Sequence, residues 1–462
     1  MHLRHALALL SLSLSAPLAS SAQAPFAPDS EVRAILADRV ASKRGMGFVV
    51  AILERGQAPR IHTAGTSGIS GLALDANTVF EIGSITKVFT STLLSEMVAR
   101  GEVKLDDPIS KYLPKTVRVP SRKGRDITLV DLATQSSGLP RLPGNLRPTS
   151  AANPYADYTV ENLYEFLSSY TLTRDIGSQY EYSNLGVGLL GHVLSLAAGK
   201  SYEAIIRERV LAPLGMNDTG IEIAAPIKSR MAQGFNAQGA LMQPWDLPTL
   251  AGAGALRSTA ADMLKFLAAS LDSTTTPLGG IMSRTRESRH AADRPGNRIG
   301  LGWHIVDVFG STLTWHNGGT GGYRAFIGVD DARHRGVVVL TNSTVSPDDI
   351  GFHLLEPKVP LDLPVAPPPQ RKAIALDPFR LDPFVGVYEL APNFQLAITK
   401  EDGKLFGQAT GQGKVQLHPE SETKFFLNEV DAQVSFVKGA DGKVNELILH
   451  QGGANIPGKR VK

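Results

Sequence analysis

The segment VFEIGSITKVFTSTLLSEMVARG, residues 79–101, is the most informative stretch of this chain. Its apolar side chains recur close to the i, i+4 spacing of an amphipathic helix: Ile85, Val88, Phe89, Leu93 and Met97. Gly101 is placed to end that helix. The segment therefore predicts a helix over 84–100 that begins at a serine.

Ser84 and Lys87 form a Ser-x-x-Lys pair at the start of this helix. Three residues turn a helix by about 300°, so we expect both side chains on one face. A serine hydroxyl needs a base to become nucleophilic, and lysine can serve if burial and neighbouring cations keep it neutral. The alternative is that Ser84 is only an N-cap. The spacing also occurs at 421–424 and 435–438, in a region that predicts strands.

Tyr182-Ser183-Asn184 is the single Tyr-x-Asn of the chain. In an extended segment, residues two apart point to the same side. A tyrosine whose phenolate is favoured by a nearby lysine can take a proton, and an asparagine amide can hold a substrate carbonyl. The alternative is a surface tyrosine followed by an Asn N-cap of a helix over 184–198, which Gly199 would end.

The segment WHNGGTGGY, residues 315–323, contains four glycines that let another backbone or a ligand approach closely. Gly318 and Gly319 follow His316 at two and three residues. A strand edge of this kind can offer a backbone N–H to an oxyanion, and the histidine can add a polar or cationic group. The alternative for His316 is a turn or packing role.

The composition excludes several classes of function. With no cysteine among 462 residues, the chain has no thiol nucleophile, disulfide or Cys-ligated metal. Lys+Arg 47 against Asp+Glu 44 gives a charge of +3 without a long basic run, so we expect no nucleic-acid partner. His290, His304 and His316 lack metal-ligand spacing, and we expect neither a metal nor a cofactor.

Residues 1–22 resemble a secretory signal peptide, with His2 and Arg4 before an apolar run too short to span a bilayer and a cluster of small residues near Ala22. An uncleaved N-terminal helix is the alternative. The pattern predicts export, to a periplasm, and no integral membrane span.

Three segments of different composition follow residues 1–22 along the chain. Residues 28–360 mix strand and helix patterns, which predict an α+β fold, an α/β sandwich with helices on an antiparallel sheet. Residues 361–378 form a Pro-rich linker. Residues 379–462 show short alternating runs separated by Asp402-Gly403 and Asp441-Gly442, which predict a small antiparallel β domain or barrel.

Taken in order, the three motifs resemble those of the penicillin-recognising serine hydrolases, in the class C β-lactamase-like branch. That branch includes penicillin-binding proteins, D,D-peptidases, D-amino-acid amidases and carboxylesterases. The likeness extends over most of residues 30–350, including ITLVDLATQSSGLP (127–140) and AGAGALRSTAADMLKFL (251–267). It implies an antiparallel sheet flanked by helices plus a helical lobe, while the C-terminal segment resembles a lipocalin-like barrel.

The resemblance implies a role for each motif. Ser84 would be the acylated nucleophile, and Lys87 and Tyr182 the proton-shuttling pair. Asn184, His316 and Gly318 would contact the substrate. The backbone N–H groups of Ser84 and Gly319 would form the oxyanion hole.

Two positions depart from established class C β-lactamases. His316 stands where those enzymes have lysine, as in certain D,D-peptidases, and Thr86 stands where they usually have serine. We expect an exported serine acyl hydrolase that cleaves a β-lactam or a D-amino-acid peptide, a small molecule or short peptide. The alternatives are a carboxylesterase on short acyl esters and a penicillin-binding sensor that acylates without turnover. The oligomeric state is left open.

Overall fold

The computed structural model describes residues 26–272, 274, 276–363, 371–391, 394–410, 413–428, 432–439, 441–451 and 454–462. The signal peptide predicted at 1–22 and the centre of the Pro-rich linker, 364–370, lie outside these ranges. The chain divides into two compact units, Met1–Asp362 and Leu363–Lys462. In the ranges described, no helix is both long enough and apolar enough to cross a membrane.

The first unit contains ten α-helices among its described residues: α1 Asp29–Ala41, α2 Thr86–Ala99, α3 Leu129–Ala133, α4 Val160–Ser169, α5 Asn184–Ala198, α6 Tyr202–Ile206, α7 Ala225–Lys228, α8 Ala260–Leu271, α9 Gly279–Thr285 and α10 Asp348–Leu355. Its strands are β1 Gly47–Glu54, β2 Arg60–Gly65, β3 Val79–Glu81, β4 Ser121–Arg122, β5 Arg125–Asp126, β6 Gly234–Phe235, β7 Leu241–Met242, β8 Arg257–Thr259, β9 His290–Ala291, β10 Arg298–Ile299, β11 His304–Val308, β12 Ser311–Gly319, β13 Arg324–Asp330 and β14 Arg335–Thr341.

An eight-stranded antiparallel sheet forms the base of the first unit, in the order β2-β1-β14-β13-β12-β11-β10-β9. Strands β1 and β14 pair over seven residues, from Phe48 opposite Thr341 to Glu54 opposite Arg335. The second and third strands of the sheet therefore lie almost 300 residues apart in the sequence. Strand β12, which carries His316, pairs with β13 and β11.

Helices cover both faces of this sheet, because its central strands alternate two sets of buried apolar side chains. Val49, Ala51 and Val338 belong to the large core that includes α2, α8 and the helices α3 to α6, which form the helical lobe. Val50 and Val339 face the other way and pack with α1 and α10. The predicted α/β sandwich with a helical lobe is confirmed.

The two helices predicted around the motifs are present, with different caps. A 3-10 turn, Gly83–Ile85, precedes α2. The N-cap of this turn is Ile82, which makes no side-chain hydrogen bond. The alternative of Ser84 as an N-cap is therefore wrong. Helix α5 runs over the predicted range and ends at Gly199 in the left-handed conformation. Its N-cap is Ser183 rather than Asn184, because the Ser183 Oγ accepts the Gly186 N–H at 2.8 Å.

The second unit is a closed antiparallel barrel, which confirms the predicted β-barrel. A 3-10 helix, Pro378–Phe384, precedes eight strands: β15 Gly386–Ala391, β16 Phe394–Glu401, β17 Lys404–Ala409, β18 Val415–Pro419, β19 Lys424–Phe426, β20 Ala432–Lys438, β21 Val444–Gln451 and β22 Ala454–Arg460. Asp402 and Gly403 both have positive φ, 48° and 71°, as the tight hairpin between β16 and β17 requires. Buried Tyr388, Phe425 and Phe436 fill the interior.

The packing of α2 against α8 gives a test of the core. Phe89 is fully buried and its ring centroid lies 4.2 Å from that of Phe266. Phe89→Ala should lower the free energy of unfolding by about 3–5 kcal/mol, measured by urea unfolding, because it leaves a cavity between two helices. Leu241→Ala, at a side chain 68% exposed, is the control and should change it by about 0.5 kcal/mol or less. Equal losses in both variants would contradict this packing.

Candidate active site

Lys87 is the centre of the site and connects three segments of the chain. Its Nζ lies 2.9 Å from the Ser84 Oγ, 2.9 Å from the Asn184 Oδ1 and 2.7 Å from the Ala253 carbonyl oxygen. Ser84 itself is partly exposed, while the Lys87 side chain is fully buried. The structure thus brings the first and second motifs together around one buried amine.

Burial holds the pKa of Lys87 well below its usual 10.5, and the nearby positive charge of Arg141 lowers it further. An uncharged lysine has two N–H donors and one lone pair. The Asn184 and Ala253 oxygens can take the two donors, which leaves the lone pair for the Ser84 hydroxyl. The three contacts therefore match the amine form of Lys87, in which it can act as a base.

A loop after α3 positions the second motif. The Gln135 side chain accepts the Ser183 N–H at 2.7 Å, and the Ser183 Oγ donates to the Pro140 carbonyl at 2.6 Å. The Arg141 carbonyl accepts the N–H groups of Asn184 and Leu185 at 3.0 and 3.2 Å. These contacts come from the end of segment 127–140 and from Arg141. They fix the position of Tyr182 and Asn184 relative to Lys87.

The side chains of Lys87 and Arg141 both approach the ring of Tyr182. The Lys87 Nζ is 4.8 Å and the Arg141 Cζ 4.9 Å from its ring centroid. Burial nevertheless raises the pKa of Tyr182 to about 12, against the opposing effects of a hydrogen bond with Ser84 and the charge of Arg141. The sequence suggested a phenolate favoured by lysine. In the free protein Tyr182 is instead a neutral phenol that can donate a proton.

His316 is buried on β12 and is uncharged. Burial holds its pKa well below 6.5, and the neighbouring basic groups of His304 and Lys87 act in the same direction. Its Nδ1 lies 2.5 Å from the Asn317 carbonyl oxygen, so Nδ1 carries the proton and Nε2 is an acceptor. The sequence left open a polar or a cationic role for His316, and this environment favours the polar one.

The backbone of β12 lies directly against the turn that carries Ser84. A Cβ added to Gly318 would lie 1.9 Å from the Ile82 carbonyl oxygen and 3.1 Å from the Ser84 nitrogen. Gly83 has φ +49°, and a Cβ there would lie 2.5 Å from the Gly319 nitrogen. Two glycines therefore allow the backbone nitrogens of Ser84 and Gly319 to approach the same place.

Three residues near the site were not predicted as functional. Arg141 directly follows the segment 127–140, and its position there was the available signal. Burial raises the pKa of Tyr155, and the nearby Asn184 side chain opposes that shift. Glu81 is buried, lies 3.3 Å from Arg257 and accepts the Trp245 N–H at 3.0 Å, so it ties β3 to β8 and the 245 loop beside Ser84. No local sequence pattern marks Tyr155 or Glu81.

Residues 32–354 match the family model described as Beta-lactamase. The chain belongs to the beta-lactamase family. It is a serine hydrolase of the acyl-enzyme type, as the motifs predicted. Residues 370–460 match a second model, described as a domain of unknown function, DUF3471.

Named relatives agree with this family. D-alanyl-D-alanine-carboxypeptidase/endopeptidase AmpH of Escherichia coli K12 is 32% identical over 286 residues, 58% of this chain and 72% of AmpH. A Pseudomonas fluorescens beta-lactamase is 27% identical over 332 residues, 64% of this chain and 88% of that protein. The crystal structure of a beta-lactamase/D-alanine carboxypeptidase from Yersinia pestis, complexed with citrate, superposes with a TM-score of 0.59 at 26% identity, covering 69% of this chain and 94% of that one.

The contact of β12 with the Ser84 turn can be tested in this beta-lactamase-family chain by Gly318→Ala. The added methyl group cannot fit against the Ile82 carbonyl, so the strand must move and the two backbone nitrogens must separate. Turnover of a chromogenic lactam or nitrophenyl ester should fall by about 10²-fold. Gly280→Ala is the matched control, because a Cβ there meets nothing within 4 Å. Unchanged turnover in Gly318→Ala would contradict the proposed arrangement.

The state of Lys87 gives a pH-dependent test. A lysine with a folded pKa below 10.5 binds more protons in the unfolded chain, so its contribution to stability rises with pH until about 10.5. The unfolding free energy of the wild type should therefore rise relative to that of Lys87→Met as pH increases from 7 to 10. The gain is at most about 1.4 kcal/mol per pH unit, measured by urea unfolding. Parallel curves for the two proteins would show that Lys87 is charged in the fold.

Proposed function

We propose that this chain is an exported serine acyl hydrolase that cleaves the amide bond of a β-lactam or a D-amino-acid peptide. The observation that carries the proposal is the 2.9 Å contact between the Ser84 Oγ and the Nζ of a fully buried Lys87. The names of AmpH and of the beta-lactamase relatives support this substrate class. Export rests on the signal peptide predicted at 1–22, with cleavage after Ala22.

In the first step the Ser84 Oγ bonds to the substrate carbonyl carbon while its proton passes to the lone pair of Lys87. The carbonyl oxygen becomes an oxyanion beside the N–H groups of Ser84 and Gly319. The C–N bond then breaks, the leaving nitrogen takes a proton, and the acyl group stays on Ser84. Tyr182 is a neutral O–H group beside Ser84, suited to pass on that proton.

In the second step water attacks the acyl carbon, its proton is taken by the Lys87 and Tyr182 pair, and Ser84 leaves with a proton restored. The Asn184 Oδ1 is held by the Lys87 Nζ at 2.9 Å, so the amide NH2 group can donate to the acyl group and orient it. His316, Gly318 and Gly319 would line the opposite side of the substrate, on β12. No metal or cofactor enters either step.

Ser84→Ala tests the nucleophile. It should abolish labelling by a fluorescent penicillin and reduce turnover by about 10³-fold or more, because no covalent intermediate can form. Ser435→Ala is the matched control, since Ser435 and Lys438 have the same spacing on a barrel strand. Undiminished labelling and turnover in Ser84→Ala would overturn the proposal.

A substrate panel on the wild type separates the alternatives. Turnover of lactam or D-Ala-D-Ala peptide supports the proposed function, and turnover of short esters alone indicates a carboxylesterase. A penicillin label that stays attached, with no multiple turnover of any substrate, indicates a sensor.

A further inference from the structure

The two basic side chains of the first and third motifs, Lys87 and His316, offer no positive charge to a substrate. All three contacts of the Lys87 Nζ are to protein oxygens, and its side chain is fully buried. His316, at the third motif, is buried and uncharged. A negatively charged substrate group therefore has no partner at either of these motif positions.

Arg141 can supply a cationic partner for such a group. Its side chain is exposed, and its Cζ lies 4.9 Å from the ring centroid of Tyr182. Its charge reaches the reaction centre, since it influences the pKa of both Lys87 and Tyr182. Within the described ranges, no carboxylate lies within 4.0 Å of the Arg141 guanidinium, whereas the neighbouring Arg174 is paired with Glu181.

The backbone of Arg141 is fixed where this role requires it. Its carbonyl oxygen accepts the N–H groups of Asn184 and Leu185, at the first turn of α5. The Arg141 side chain thus starts from backbone that is hydrogen-bonded to Asn184, the residue that would orient the acyl group. A planar guanidinium with free donors is suited to bidentate binding of a carboxylate.

We propose that Arg141 determines specificity by binding a carboxylate carried by the acyl part of the substrate, on the Tyr182 and Asn184 side of Ser84. This inference rests on the proposed function, because it needs an acyl group delivered to Ser84. It assigns this chain a preference for acidic acyl groups. The cation that recognises the substrate then comes from the loop after α3 rather than from β12.

Two esters of equal length test this preference. Mono-p-nitrophenyl glutarate carries a terminal carboxylate, and p-nitrophenyl valerate carries a methyl group in its place. The readout is the ratio of kcat/KM for glutarate to that for valerate. Arg141→Gln should lower this ratio about tenfold or more, through KM for the glutarate ester, because a charge-assisted hydrogen bond pair is lost. Arg141→Lys should restore part of it.

Arg147→Gln is the matched control. Arg147 is also exposed, lies six residues along the same loop and donates only to the carbonyls of Gly144 and Leu146 among the described contacts. Its ratio should equal that of the wild type. High salt should lower the wild-type ratio, because screening weakens an exposed ion pair, and this measurement does not depend on any variant folding.

The outcomes separate this inference from the proposed function. An unchanged ratio in Arg141→Gln, or equal losses on both esters, would overturn the carboxylate site while leaving the acyl hydrolase intact. Equal losses would mean that Arg141 acts through the charge it places near Lys87 and Tyr182. Absence of Ser84-dependent turnover of either ester or of a lactam in the wild type would overturn the proposed function itself.

Discussion

The burial of one amine is the constraint on which the site depends. Lys87 sits in the core of the first unit with three oxygen atoms around it, from the turn at Ser84, from α5 and from the segment at Ala253. A buried ammonium costs far more than a buried amine, so the fold selects the uncharged form. The same desolvation keeps Tyr182 and His316 uncharged. The packing of three segments around Lys87 therefore also sets the uncharged state that lets it act as a base.

The second constraint is the close approach of two backbones. Without side chains at Gly83 and Gly318, strand β12 can lie against the Ser84 turn, and the edge of the sheet becomes part of the site. Glu81, on β3 just before the turn, is bound by Arg257 and by the Trp245 N–H. Helix α2 and the segment before α5 supply the proton-transfer groups, while the Ser84 turn and β12 each supply one backbone N–H. The reaction centre lies where these parts of the chain meet.

The features that short sequence patterns encode could be predicted from the sequence. The Ser84 and Lys87 pair follows from helix geometry, the range of α5 from its apolar run and from Gly199, and the barrel from its alternating strands. The sequence prediction misplaced the N-cap of α5, since Ser183 and Asn184 are both good caps and the Gly186 contact decides between them. Arg141, Tyr155 and Glu81 could not be found in this way, because their contacts with the site join distant parts of the chain. The charge states of Tyr182 and His316 depend on burial, which no short motif specifies.

The pairing of β1 with β14 also governs when the site can form. These strands are almost 300 residues apart and every motif lies between them, so the sheet that presents β12 cannot be completed until β14 has been synthesised. Closing so long a loop is entropically expensive before its contacts form, and topologies of this kind fold slowly. A nascent chain that has made Ser84, Lys87 and Tyr182 but not β14 therefore carries the catalytic side chains without the strand edge.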